Sequence, residues 1–227
     1  CEAMLAAWGY PGALEVVLGQ LVNLLRNGEP VRMSKRTGEM ITFAELIEEV
    51  GPDATRYLML SRSSDQPIDF DIEVAKKQDS TNPVYYVQYA HARICSILRK
   101  AAGIELNDTP AEELAAAAVP VDVDLSVLTH PAELALMRKM DDFAELIELA
   151  ARDRAPFRLT HYAEELAAAF HHFYTECRIM GEDAAVQNAR LALADSARIV
   201  LALTLSLLGV SAPVYMQPRE ESQAETA

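Results

Sequence analysis

A short basic loop near the start of the chain carries residue types that meet phosphate. Residues 32–38 read RMSKRTG and hold three cations, two hydroxyl groups and a glycine. A lysine supplies a mobile positive charge, and hydroxyl or backbone donors reach further oxygens, which is what a developing pyrophosphate needs. Taken alone, such a stretch is also typical of a solvated basic turn, so the loop by itself leaves both interpretations open.

A second group of residues suits the bases of a nucleic acid. Tyr85, Tyr86 and Tyr89 fall within five residues, and the spacing of Tyr86 and Tyr89 places both on one side of a helix. Gln88 and Arg93 are nearby. Single-stranded RNA loops are recognised by stacking on aromatic rings and by bonds from amides, hydroxyls and Arg. Each tyrosine also fits a partly buried position with its hydroxyl at the surface.

Other titratable groups predict no further site. His171, His172 and Cys177 have no partner set at metal-ligand spacing, so we predict no metal site. Asp69 and Asp71 are more typical of a turn in which Asp71 caps a helix than of an acid–base pair.

The total charge argues against nucleic acid, but its distribution does not. The chain has 20 Lys and Arg against 34 Asp and Glu, a net charge of −14, whereas proteins that bind phosphates are usually basic. By segment the charge is −6 over residues 1–75, +4 over 76–104 and −12 over 105–227. The positive segment is the one that contains the three tyrosines.

Composition indicates a globular, soluble, cytoplasmic protein. Hydrophobic residues make up 51% of the chain and leave ample material for a core. The most apolar run, residues 199–210, is shorter than the roughly 20 residues of a membrane span, and no signal peptide opens the chain. Three widely spaced cysteines indicate no disulfide framework. Because the first residue is Cys1, we expect a fragment of a longer protein.

Local patterns in the first part place the basic loop between a strand and a helix. Residues 14–25, apolar and rich in β-branched side chains, predict a strand or hairpin that leads into an exposed loop. Thr42 and Glu45 predict a capping box for the next helix, and Asp53 is expected to cap a second one.

The second part predicts a helical bundle. Asn82 and Pro83 predict the start of a long helix that ends at Gly103. After a long connection with one short helix, helical periodicity predicts three more helices, at residues 131–151, 160–180 and 184–208.

The motifs together resemble a known family. The loop at 32–38 resembles the KMSKS signature of class I aminoacyl-tRNA synthetases, with Arg32 in place of the first Lys. Four further stretches resemble arginyl-tRNA synthetase: residues 42–60 (TFAELIEEVGPDATRYLML), 69–71 (DFD), 82–94 (NPVYYVQYAHARI) and 209–216 (GVSAPVYM). The resemblance covers nearly all of residues 1–216, and the block at 82–94 is its most specific part.

The resemblance implies a mainly α fold in two parts. Residues 1–77 would be the end of a Rossmann-type α/β catalytic domain, residues 78–216 an all-α anticodon-binding helical bundle, and residues 217–227 a polar flexible tail. The reaction implied is the activation of arginine by ATP, with Mg²⁺, followed by its transfer to tRNA(Arg).

The resemblance also implies roles for single residues. Lys35 would be catalytic and stabilise the pyrophosphate leaving group, with Met33 and Ser34 completing the ATP-binding loop. The anticodon would be bound by Tyr86, Tyr89, Tyr174 and Met216. We also expect a monomer, with neither DNA nor a membrane as partner.

One departure from the family limits these expectations. None of the five histidines lies in the H-x-G-H motif that class I synthetases also need, so we expect the chain alone not to form arginyl-adenylate. Two other function classes remain open: a class I synthetase for another amino acid, and a non-enzymatic interaction module built on the acidic, Ala-rich helices of residues 105–227.

Overall fold

The structure is a computed structural model that describes residues 1–31 and 41–217. Its strands are β1 (Val22–Arg26), β2 (Glu29–Pro30) and β3 (Ile68–Asp71). Its helices are α1 (Glu2–Ala7), α2 (Phe43–Val50), α3 (Pro52–Leu60), α4 (Ile72–Lys76), α5 (Pro83–Ala102), α6 (Ala111–Ala118), α7 (Pro131–Asp141), α8 (Phe143–Arg152), α9 (Phe157–Glu176) and α10 (Ala184–Leu208), with a 3₁₀ turn at Leu125–Val127. The described residues thus form a mainly α fold.

The three strands form one small sheet in the order β2–β1–β3. Strand β1 is antiparallel to β2 and parallel to β3. Leu46, Phe70 and Ile72 form a small core beside it. The strand expected over residues 14–25 is wrong for most of its length, because regular pairing begins only at Val22. Strand β3 was not predicted, because its four residues IDFD carry too little pattern to distinguish a strand from an acidic loop.

Side-chain caps begin two of the early helices. The Thr42 hydroxyl accepts a bond from the Glu45 amide and the Glu45 carboxylate accepts one from the Thr42 amide, which confirms the capping box of α2. Asp71 accepts from two amides of α4 and confirms its role as a cap. The cap expected at Asp53 is wrong. Helix α3 begins at Pro52 after Gly51, whose φ is 92°, and Asp53 accepts a 2.8 Å bond from Gln88 instead.

Helix α5 is the central element of the bundle. It packs against α3, α6, α9 and α10 and ends as predicted at Gly103, which adopts a left-handed φ of 68°. Asn82 stands at its N-cap position, but the side-chain amide donates to the carbonyls of Ala75 and Lys77, both at 2.9 Å. Asn82 therefore fixes the connection from α4 and does not cap α5.

The later helices differ from the prediction at their boundaries. The helix expected over 131–151 is two helices, α7 and α8, which meet at Asp142, and the one expected over 160–180 spans 157–176. Phe143, the first residue of α8, stacks on Tyr162 of α9 at 5.5 Å. This tertiary contact orients α8, and periodicity within the segment carries no signal for it.

Helix α3 joins the first part of the chain to the bundle. Tyr57 is fully buried. Its hydroxyl donates to the Thr160 carbonyl of α9 at 2.8 Å, and a carboxylate oxygen of Glu164 on the same helix is 3.2 Å away. Ala54 and Tyr57 belong to the same apolar core as α5, α9 and α10. The domain boundary between residues 77 and 78 stays a prediction. Helix α3 lies before that boundary in sequence but packs against the bundle that follows it.

Helix α10 has the length and hydropathy of a membrane span. It is 25 residues long with a mean hydropathy of 1.8 over its most apolar stretch, half of which is buried inside the structure. Core helices of soluble proteins share this composition. The expectation of no span rested on the shorter run at residues 199–210, which is only the end of this helix.

Candidate nucleic-acid interface

The first turns of α5 and the end of α9 form an aromatic groove. It encloses a cavity of about 400 Å³, and its aromatic and cationic lining is Tyr85, Tyr86, Tyr89, Arg93, His171 and Tyr174. Tyr86, Tyr89 and Tyr174 are all half-buried, so each has a ring face or edge in contact with the protein and another toward the groove. Bases that enter such a groove can stack without a sequence-specific bond.

A second cavity of about 280 Å³ adjoins the first. The two share Tyr89, Arg93 and Tyr174, and the second adds Tyr215 and Met216 from the segment after α10. The structure therefore brings together all four residues for which an anticodon role is predicted: Tyr86, Tyr89, Tyr174 and Met216. Their roles stay predictions, since the structure gives their positions alone.

Arg93 lies where the two cavities meet. Its guanidinium carbon is 4.5 Å from the centre of the Tyr174 ring and 5.8 Å from that of Tyr89. A guanidinium over aromatic rings keeps its N–H donors while its face is held by the ring quadrupoles. From the sequence, Arg93 was noted beside the tyrosines but was not assigned to the anticodon. Its position four residues after Tyr89 places it on the same helix face.

His171 adds an uncharged polar group to the groove. Its ring centre is 5.2 Å from that of Tyr86 and 6.2 Å from that of Tyr89. Burial, and to a lesser extent the Arg93 cation, lowers the pKa of His171 to about 4. The imidazole is therefore neutral near pH 7 and offers one donor and one acceptor. From the sequence, His171 was considered only as a metal ligand and was rejected. Its position three residues before Tyr174 on the same helix was a signal that the two side chains share a face.

The residues with predicted ATP roles, Met33, Ser34 and Lys35, lie outside the described residues. Strand β1, which precedes β2 and these residues in the chain, ends in an ion network: Arg26 bonds to Glu49 at 2.8 Å and to Glu73 at 2.5 Å. Hydrogen bonds from Arg26 and Lys76 lower the pKa of Glu49 to about 2. Among residues 1–31 and 41–217, no three His, Cys, Asp or Glu side chains are grouped to hold a metal ion.

Most of the helical bundle is similar to a known domain family. Residues 87–216 match the DALR anticodon binding domain, which is more than half of the chain and includes most of α5 and all of α6 to α10. The chain therefore belongs to the DALR anticodon binding domain family.

The relatives of the chain within that class are arginyl-tRNA synthetases, as its sequence motifs predicted. It is 50% identical over 211 residues to the arginine–tRNA ligase of Heliobacterium modesticaldum, which is 92% of this chain and 37% of that protein. It is 48% identical over 216 residues to the arginine–tRNA ligase of Dehalococcoides mccartyi, 95% of this chain and again 37% of the relative. The chain thus spans little more than a third of the length of the curated relatives it matches.

Solved structures agree with the sequence relatives. A crystal structure from Campylobacter jejuni, assigned as an arginyl-tRNA synthetase, superposes with a TM-score of 0.79 at 32% identity and covers 95% of this chain and 44% of its own. Thermus thermophilus arginyl-tRNA synthetase gives a TM-score of 0.72 at 28% identity over 95% of this chain and 38% of its own.

Proposed function

We propose that this chain binds the anticodon of tRNA(Arg), and that the complete protein is an arginine–tRNA ligase. The observation that carries the proposal is the convergence of Tyr86, Tyr89, Tyr174 and Met216, from three separate parts of the chain, on two adjoining cavities around Arg93. The match of residues 87–216 to an anticodon binding domain supports the same assignment.

The groove has the chemistry that an unpaired RNA loop requires. Tyrosine rings stack on splayed bases, at about 1–3 kcal/mol for each base. Arg93 presents planar N–H donors toward a base edge or a phosphate, and neutral His171 can both donate and accept. Stacking tolerates any base, so discrimination of the anticodon falls to the polar groups, of which Arg93 has the most donors.

The ATP-dependent part of the proposal rests on residues 32–38. Their resemblance to the KMSKS signature, together with the similarity of the chain to arginine–tRNA ligases, supports the assignment of Lys35 to the pyrophosphate leaving group. Met33 and Ser34 would line the same ATP-binding loop. Mg²⁺ would enter with ATP. Arginine as substrate, a monomeric state and a cytoplasmic location belong to the same proposal.

The proposal is tested by measuring the affinity of the chain for two transfer RNAs that differ only in the anticodon. We expect the tRNA with an arginine anticodon to bind at least about tenfold more tightly than the one whose anticodon is changed, since one well-placed polar contact is worth 1–3 kcal/mol. Equal affinity for the two would contradict the assignment and favour an interaction module with no anticodon preference.

A further inference from the structure

The segment that carries Tyr215 and Met216 has no regular secondary structure of its own. Helix α10 ends at Gly209, which adopts a left-handed φ of 67°, and residues 210–217 then run without a helix or strand. A segment without an internal hydrogen-bond ladder takes its position from the groups that bond to it. Those groups decide where Tyr215 and Met216 lie relative to the aromatic groove.

Three side chains of α5 bond to the main-chain carbonyls of this segment. Gln88 Nε2 donates to Ser211 O at 3.0 Å, His91 Nδ1 contacts Pro213 O at 2.9 Å, and Arg99 Nη2 donates to Val214 O at 3.2 Å. At 3.6 residues per turn, Gln88, His91 and Arg99 lie within about 80° of one another around the helix axis. They therefore form one row of donors along a single face of α5.

Two of these side chains are buried in the protein. His91 is 2% exposed and Arg99 is 7% exposed. Burial lowers the pKa of His91, so the ring is neutral at pH 7, and its contact with a carbonyl oxygen requires the proton on Nδ1. The same burial makes each bond costly to lose, because the freed donor and carbonyl would remain away from water.

Arg99 and Asp53 extend the attachment at both ends of the segment. Arg99 also donates to the carbonyls of Leu106 and Asn107, at 3.0 and 3.2 Å, and lies 6.0 Å from the centre of the Tyr215 ring. Asp53 of α3 accepts bonds from Gln88 and from the Ser211 hydroxyl. The segment is thus fixed from Ser211 to Tyr215 by side chains that do not line the groove.

We propose that Gln88, His91 and Arg99 are positioning residues, which fix the main chain of residues 211–214 and so place Tyr215 and Met216 in the anticodon site. This inference rests on the proposed function. Helix α5 then contributes to RNA binding through two faces. Tyr86, Tyr89 and Arg93 on one face contact the RNA directly. The row of donors on the other face holds the segment that brings Tyr215 and Met216 to the second cavity.

The test compares the effect of one substitution in two lengths of the chain. Arg99→Met keeps the aliphatic stem and removes the donors. In the full chain it should weaken binding of the tRNA with an arginine anticodon by about fivefold to 150-fold, the factor equivalent to one stacked base. In a chain that ends at Val214 the same substitution should change the affinity by less than about twofold, because the residues through which it acts are gone.

Hydrogen exchange gives a readout that does not depend on RNA. Arg99→Met should speed the exchange of backbone amides in residues 210–217 and leave those of α8 unchanged. Gln88→Leu, at a half-buried position, repeats both measurements with less risk to folding. Arg138→Met on α7, an exposed arginine far along the chain from this row, is the matched control and should change neither readout.

The outcomes separate this inference from the proposed function. Equal losses of affinity in the full and shortened chains would overturn it, as would no loss in either with unchanged exchange. If instead the unsubstituted chain binds both tRNAs equally, the proposed function fails and this inference fails with it. Loss of affinity only in the full chain, together with faster exchange of residues 210–217, would establish the positioning role.

Discussion

Arg93 shows how single residues of the groove acquire their properties from neighbours. Its guanidinium is held over the Tyr174 ring at 4.5 Å, and its charge helps to keep His171 neutral. Tyr85 and Tyr89 stack with ring centres 6.1 Å apart and planes 10° from parallel. The rings are thereby ordered before any base arrives, which reduces the entropy lost on binding.

We predict that Tyr89→Ala weakens tRNA binding by about 1–3 kcal/mol, the value of one stacked base. Tyr89 lines both cavities, so removal of its ring affects each. Titration of the tRNA with an arginine anticodon measures the loss. Tyr10→Ala, at a tyrosine that is 63% exposed, should leave the affinity unchanged. A large drop in thermal stability with no specific loss of affinity would show that Tyr89 is a core residue.

We predict that the free energy of unfolding decreases on acidification, because His171 becomes protonated in the unfolded chain before it does in the folded protein. The pKa of His171 is about 4 in the folded protein against 6.5 in a model peptide. Between these values the unfolded chain binds more protons than the folded one, so the free energy of unfolding decreases as the pH is lowered. The effect of this group fades as the pH rises above 6.5. His171→Gln should remove roughly 1–2 kcal/mol of the decrease between pH 7 and pH 5.

Urea unfolding at the two pH values measures this difference. His172→Gln, at the exposed neighbouring position, is the matched control and should retain the decrease of the unsubstituted chain. The assignment is wrong if the two variants lose stability equally on acidification.

Helix α3 joins the first part of the chain to the bundle, and one of its contacts with the bundle is a buried hydroxyl. Tyr57 reaches Thr160 and Glu164 across more than 100 residues of sequence. Burial raises the pKa of Tyr57, so the hydroxyl remains a donor at all working pH values. Helix α3 is therefore part of the same packed core as α5 and α9.

We predict that Tyr57→Phe lowers the free energy of unfolding by about 1–2 kcal/mol, since the Thr160 carbonyl loses its buried donor. Chemical denaturation monitored by circular dichroism measures the change. Tyr10→Phe, which removes an exposed hydroxyl, should have no effect. If Tyr57→Phe proves as stable as the unsubstituted chain, α3 is not fixed by this bond.

The elements that could be predicted from sequence are those with local signals. The Thr42–Glu45 capping box and the end of α5 at Gly103 follow from residues within one or two turns. Strand β3 and the break at Asp142 have no such local signal. Strand β3 pairs with β1, which lies more than 40 residues earlier, and Phe143, just after the break, packs on Tyr162 of α9.

The residues of the candidate site also divide into those with a local sequence signal and those without one. Tyr86 and Tyr89 share a helix face by spacing alone, whereas Tyr174 and Met216 were assigned only through resemblance to the family. The bonds that bring Met216 to the site, such as that from Gln88 to Ser211, span 123 residues. No local pattern carries such a contact.

For the whole molecule, the location of the cations matters more than the net charge of −14. Arg99 is committed to carbonyls inside the protein, so Arg93 and Lys100 are the cations of α5 that line the cavities. The acidic helices elsewhere repel phosphate. Binding should therefore depend on stacking at one site, with little general attraction to RNA.

We predict a shallow salt dependence for tRNA binding. Two phosphate contacts give a slope of log affinity against log salt of about −1.4. Lys100→Gln should reduce the magnitude of the slope by about 0.7. Lys139→Gln, whose amine is paired with Glu165 and Asp142, is the matched control and should retain the full slope. A slope several times steeper would indicate a wider electrostatic surface.

Photocrosslinking from the anticodon loop tests whether the aromatic groove binds the anticodon. A photoreactive base at an anticodon position of tRNA(Arg), irradiated in complex with the chain, marks the peptides it contacts, which mass spectrometry then identifies. We expect crosslinks in residues 85–93, at Tyr174 and at residues 215–216. A separate cavity on the described part of the chain is lined by Lys139 and Tyr162. Crosslinks confined to that cavity would contradict the assignment of the aromatic groove to the anticodon.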